Sequence, residues 1–280
     1  MPATVTLAVL LAAVLHAVWN LLAKQFADRL AGFALLGLTM SLGAAATIGL
    51  LPRPAAASWR YLAVSAVLHV AYALLLLQSY RVGDLSQVYP LARGLSPLLV
   101  AGAAGLVAGE RLSGGQLAGV AVVCVGLASL ALVADRPAAQ DRAAVAFAAA
   151  TGVMIAAYTV TDGLGVRRAG NALAYAAWLF LFQGAGLALS VLALRRRPLR
   201  PALPAVALPA AVAGVLALVG YALVLWAQTR GALAVVAALR ETSVIVAAAL
   251  GAVLLRERFG RVRVVAAVLV AVGIALIDLR

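Results

Sequence analysis

Apolar side chains along this chain fall in blocks of about twenty residues, separated by short polar gaps. That block length matches a hydrocarbon core crossed at ~1.5 Å per residue. The blocks cover 3–23, 33–51, 61–80, 87–108, 115–134, 143–163, 172–194, 203–228, 232–254 and 262–279. Runs such as 62–77 show no alternation of apolar and polar positions, and a membrane barrel needs that alternation to keep its lipid and lumen faces apart. The pattern therefore predicts ten transmembrane helices in an all-α integral membrane protein. Pro, Gly and charge punctuate the gaps, as in Pro52-Arg53-Pro54, Gly83-Asp84, Asp135-Arg136-Pro137 and Arg195-Arg196-Arg197-Pro198. None of these gaps leaves room for a soluble domain.

Composition agrees with that pattern. Of 280 residues, 66% are hydrophobic and 11% charged, more apolar surface than a soluble core of this size can bury. The formal net charge of +13 raises the question of nucleic acid. The basic residues, however, are twenty-one arginines and the single Lys24, set mostly in short gaps where topology determinants lie. No nucleic-acid partner is expected. Cys124, the only cysteine, excludes an intramolecular disulfide and a cysteine-based metal site. Residues 1–6 lack the positive stretch of a secretory signal, so the first block reads as a retained helix.

An internal repeat gives the blocks an order. Residues 93–130 lie over 240–277 without a gap, placing Arg93 on Arg240, Ser96 on Ser243, Glu110 on Glu257 and Arg111 on Arg258. Tyr72 falls on Tyr221, Arg81 on Arg230, and Ala17-Val18-Trp19-Asn20 on Ala156-Ala157-Tyr158-Thr159. The expected halves are 1–134 and 143–280. Each holds five helices, an odd number, so the second half enters the membrane from the opposite side. Such inverted repeats bring corresponding residues together near the midplane around a central cavity, where alternating-access carriers bind substrate. Some membrane scaffolds and enzymes are duplicated as well.

Several side chains could carry chemistry there. Arg93, Arg240 and Glu241 would together cost on the order of 8–10 kcal/mol facing lipid, so they must face protein or water. Neighbours on a helix point ~100° apart, which makes Arg240 and Glu241 poor partners and leaves Arg93 as the better mate for Glu241. The remaining positive charge suits an anionic group on a substrate, such as a carboxylate or phosphonate; a purely structural ion network is the other reading. Trp19 and Asn20, with Tyr158 and Thr159 at the matching place, supply an aromatic wall and a hydrogen-bonding group in each half, and Tyr72 and Tyr221 sit mid-helix. Ser96 completes the candidate substrate-binding set. Proton coupling needs a group that gains and loses charge. Glu241 is the first choice, followed by Asp162 and His16, although Asp162 also reads as a helix-end cap and His16 as a helix-to-helix hydrogen bond. Glu110-Arg111 and Glu257-Arg258 read as salt-bridged loops tying one helix end to its neighbour. No phosphate loop, metal motif or nucleophile elbow appears, and neither enzymatic activity nor a cofactor is expected.

The Gly109-Glu110-Arg111 after helix four, its Arg256-Glu257-Arg258 counterpart after helix nine, Pro97 thirteen residues before Glu110 and the five-plus-five plan together resemble the EamA type of the drug/metabolite transporter superfamily. The resemblance covers nearly the whole chain. It implies ten helices around a central cavity and movement of small metabolites, often amino acids or related compounds, often as export. Val244 stands where the counterpart of Pro97 would be. The expected protein is a secondary active exporter of a small polar, anionic or amino-acid-like metabolite, coupled to protons, a monomer or weak dimer, multi-pass in a bacterial inner membrane. A lipid-linked intermediate flippase on the same fold and a non-transporting scaffold subunit are the alternatives. The resemblance puts both termini in the cytoplasm, whereas, leaving out intramembrane Arg93 and Arg240, the odd-numbered loops hold thirteen basic residues against seven elsewhere, which favours termini outside.

Overall fold

The computed structural model describes residues 1–82, 85–130, 142–195, 198–254 and 261–278. Among these residues every regular element is helical: α1 (Ala3–Lys24), α2 (Arg29–Ile48), α3 (Trp59–Val82), α4 (Leu85–Ala108), α5 (Gly114–Ser129), α6 (Arg142–Arg168), α7 (Ala172–Leu194), α8 (Leu203–Gln228), α9 (Leu233–Glu241), α10 (Ser243–Leu254) and α11 (Arg261–Asp278). Among the described residues, six stretches are long and apolar enough to cross a membrane: Ala3–Lys24, Arg29–Ile48, Ala56–Gln78, Val145–Arg168, Ala172–Leu194 and Arg200–Gln228. Shorter apolar helices cover Ala92–Ala108, Gly114–Ser129 and Val264–Ile277. Leu7, Leu42, Val67, Leu106, Leu189 and Leu208 stand between 62% and 88% exposed, an outer surface that only lipid can solvate.

Local chemistry sets several helix starts. Asp28 accepts the Ala31 N–H at 2.9 Å, and Asn171 accepts the Ala174 N–H at 2.9 Å, so an Asx side chain opens both α2 and α7. Ser113 and Gln116 form a reciprocal capping box at the start of α5. Pro204, at the first turn of α8, has no N–H to leave unsatisfied.

Two corrections concern helix limits. The block 232–254, expected as one helix, is divided into α9 and α10 at Thr242, whose N–H reaches back only three residues, to the Leu239 carbonyl at 3.2 Å. The α6 helix runs to Arg168, five residues beyond the expected end at 163. Its extension is held from outside: Arg167 donates to the carbonyls of Gln228 and Gly231, each at 2.8 Å. Gly163 persists inside this helix because its missing side chain makes room for Leu233; a Cβ there would stand 2.3 Å from Leu233 Cδ2.

The packing seams are made of small residues. Helices α2 and α7 run antiparallel, with Arg195 bonded to Asp28 at 2.7 Å at one end and bare backbone in contact further in. A Cβ on Gly37 would stand 2.7 Å from the Gly184 carbonyl oxygen, and one on Gly184 would stand 2.5 Å from that of Gly37. The α5–α11 seam is built alike, with a Cβ on Gly119 2.6 Å from the Gly273 carbonyl oxygen. Helix α1 packs on α8, α9 and α10, while α6 packs on α3 and α4. Every residue of α9 is buried.

Candidate functional site

A cavity of about 100 Å³ opens among α1, α2, α3, α6, α7 and α8, near the size of one that holds a benzene ring or a few waters. Six aromatic side chains line it: Trp19, Phe33, Tyr72, Tyr158, Phe180 and Tyr221. Tyr158 is the hub, with ring centroids 4.0 Å from His69, 5.5 Å from Tyr72 and 6.1 Å from Tyr221. Edge-on and tilted contacts of this kind hold each ring in place and leave faces and hydroxyls for a guest. Of the expected binding residues, Trp19, Tyr72, Tyr158 and Tyr221 are thus brought to the wall of one cavity. His16 joins them, with its Nδ1 accepting the Trp19 Nε1–H at 3.1 Å.

The expected charged trio lies behind this wall and does not line the cavity. Arg93 and Arg240 are each 1% exposed and Glu241 0%. Glu241 Oε2 accepts from Arg93 Nη1 at 2.7 Å, while Oε1 accepts from Arg240 Nη2 at 2.8 Å and Nε at 3.1 Å. The Arg93–Glu241 pair follows the expectation, but Arg240, expected to be a poor partner, bonds Glu241 as well. The ~100° rule describes where side chains leave the helix, and a guanidinium on a long stem folds back around the last turn of α9 to reach its neighbour. Arg240 also donates to Thr159 Oγ1 at 3.4 Å and lies 5.7 Å from the Tyr158 ring centroid. Arg93 Nη2 meets His16 Nε2 on its other side. The positive cavity surface expected from the arginines is accordingly absent from the described lining, because both guanidiniums are turned into protein.

Asp162 is a further correction. Expected near a helix end, it sits inside α6, 0% exposed, and caps nothing. Its Oδ2 accepts the Tyr221 hydroxyl at 2.7 Å and its Oδ1 the Tyr175 hydroxyl at 3.1 Å. His69 Nε2 stands 3.8 Å from Oδ2, and His69 Nδ1 faces the Ser65 carbonyl at 3.1 Å. His69 and Tyr175 escaped the sequence reading. One signal for His69 was available: a polar ring inside the otherwise apolar run 62–77, one helical turn before Tyr72.

Other named residues serve their own neighbourhoods. Asn20 Nδ2 donates to the His16 carbonyl at 2.7 Å and Ser96 Oγ to the Arg93 carbonyl at 3.3 Å. Thr159, behind the wall, offers its carbonyl to Gln228 Nε2 at 3.4 Å. Glu110 ties helix ends as expected. Its Oε1 meets Arg167 Nη2 of α6 at 2.7 Å, and its Oε2 accepts the Leu233 N–H at 2.8 Å, satisfying a donor at the start of α9. Its counterpart Glu257, and Arg258 beside it, lie outside the described residues. Among the described residues no three His, Cys, Asp or Glu side chains are grouped to hold a metal ion.

Comparison with known proteins places this architecture. A crystal structure with 19% sequence identity superposes with a TM-score of 0.72 over 99% of this chain and 98% of that one, which shows a shared fold. No curated protein matches the sequence. The EamA-like transporter family matches twice, over residues 3–132 and 142–278. The chain is therefore a multi-pass membrane protein of the EamA-like transporter family, within the drug/metabolite transporter superfamily.

Proposed function

We propose that this chain is a secondary active transporter that binds a small polar metabolite in the aromatic cavity and exposes it alternately to each side of a bacterial inner membrane. The observation carrying the reading is the origin of the lining: α1–α3 on one side and α6–α8 on the other contribute in matching pairs, Trp19 with Tyr158 and Tyr72 with Tyr221, with Phe33 of α2 and Phe180 of α7 beside them. Pairs of this kind are expected of two five-helix repeats, 1–134 and 143–280, related by an axis in the membrane plane. The ten-span inverted plan, with α9 and α10 as one interrupted span, is supported further by the antiparallel α2–α7 contact, where Gly37 and Gly184 are 147 positions apart, the same offset as Arg93 and Arg240.

The lining favours a substrate with a flat or apolar part and uncharged or compensated polar ends, as in an amino-acid-like zwitterion. A bare anion finds no cationic side chain at the described cavity surface. Purified protein in liposomes, loaded with a panel of labelled amino acids, aromatic amines and phosphonates, tests this. Transport of at least one panel member is expected, retained in Tyr158→Phe and reduced at least about tenfold in Tyr158→Ala, the loss expected when a stacking ring is removed. No transport of any panel member, or equal activity in both variants, removes the reading. Direction follows from the same vesicles under opposed gradients, with export expected, and a C-terminal reporter active in the cytoplasm places the termini.

A further inference from the structure

Two buried carboxylates lie near the cavity wall, and their surroundings differ in the way that matters for taking up a proton. Glu241 lies between the Arg93 and Arg240 guanidiniums, bonded to both; a proton there would cancel the charge that holds two buried cations together. Asp162 accepts hydrogen bonds from the neutral hydroxyls of Tyr221 and Tyr175, with the Ser65 hydroxyl also beside it, and a protonated carboxyl can keep such partners by rearrangement. His69 completes the geometry. Nδ1 faces both the Ser65 carbonyl at 3.1 Å and the Ser65 hydroxyl at 3.2 Å; in the tautomer that donates Nδ1–H to the carbonyl, Nε2 is the acceptor. That nitrogen points at Asp162 Oδ2 across 3.8 Å. Two acceptors facing one another are favourable when they share one proton. His69 and Tyr221 also line the cavity, which connects the carboxylate to it.

We propose that Asp162 and His69 form a proton-binding site opening on the substrate cavity, and that this site, in place of Glu241, takes up the coupling proton. The word "coupling" rests on the transporter reading above; the proton site does not. A hydronium ion in the cavity gives its proton to His69 Nε2 and is left as water; the new N–H bond then breaks as an O–H bond forms on Asp162 Oδ2, and the carboxylate charge is cancelled. The Tyr221 hydroxyl then loses its anionic acceptor and can turn its hydrogen towards a guest in the cavity. Titratable and charged groups surround Asp162 on the elements packed against α6. These are His69 and Tyr72 on α3, Tyr175 on α7, Tyr221 on α8, Tyr158 on α6 itself, and Arg240 on α9, which acts through space. Arg93 on α4 is engaged by Glu241 and His16.

The test is an acid-minus-alkaline infrared difference spectrum of the full chain in lipid nanodiscs, read in the carbonyl-stretch region of protonated carboxyls. Wild-type protein should show a titrating band that Asp162→Asn removes. Tyr221→Phe and His69→Asn, which each delete one neighbour of the carboxyl, should move the band without abolishing it. A band that persists unchanged in Asp162→Asn overturns the proposal. Should Asp162→Asn not fold, a band that stays in place in both Tyr221→Phe and His69→Asn overturns it equally. A protein that passes this test but transports nothing in liposomes keeps the proton site and loses the transporter reading.

Discussion

The regions around Glu241 and Asp162 solve the same problem, a carboxylate held away from water, by opposite means. At Glu241 the solution is countercharge. Two guanidiniums use both carboxylate oxygens, one through a pair of N–H groups, and the network spans α1, α4, α6 and α9 through His16, Arg93, Thr159 and Arg240. At Asp162 the solution is hydroxyls and a ring, from α3, α7 and α8. The first binds elements together and has little freedom to change its charge. The second offers neutral partners that can re-aim, which is what a site exchanging protons requires. Depth and apolarity alone would have ranked the two alike; the kind of donor separates them.

The comparison can be broken by mutation. The largest effect is expected for Glu241→Ala, which strands two buried guanidiniums and should cost about 3–5 kcal/mol of unfolding free energy, measured by denaturant titration in mixed micelles. Asp162→Asn keeps the shape and leaves no cation stranded, so about 1–3 kcal/mol is expected in the same assay. Equal losses at the two positions would mean that both carboxylates are structural. Tyr175→Phe, which removes a single hydroxyl and leaves Tyr221 on the carboxylate, should cost about 0.5–1.5 kcal/mol. A loss as large as that of Glu241→Ala would show that the hydroxyls around Asp162 are a rigid scaffold and not movable donors.

Much of the architecture was legible because lipid imposes it: an apolar block of spanning length has one outcome, a helix. The repeat was legible too, since Arg93, Ser96 and Glu110 recur at a constant offset. What escaped was decided by side-chain direction. Asp162 followed by Gly163 looked like punctuation, yet the carboxylate points inward to two tyrosines and the glycine yields space to Leu233, so the helix runs on. Arg240 and Glu241 looked unable to meet because helical spacing fixes where a side chain starts and says nothing of where a long one ends. Burial of the arginines behind Tyr158 was equally invisible, since a charge in an apolar block announces that it avoids lipid without telling whether it faces a cavity or protein.

The seam at Gly37 and Gly184 carries a consequence of a mechanical kind. Where larger side chains pack, helices mesh like gears, each side chain a tooth seated between others, and turning one past another means unseating teeth. Here two bare backbones touch at a point where no tooth exists. Such a contact works as a plain bearing, pinned close by where the Ser41 hydroxyl donates to the Leu181 carbonyl at 3.0 Å: it fixes the distance between the two shafts, and a single methyl group added to either would jam it.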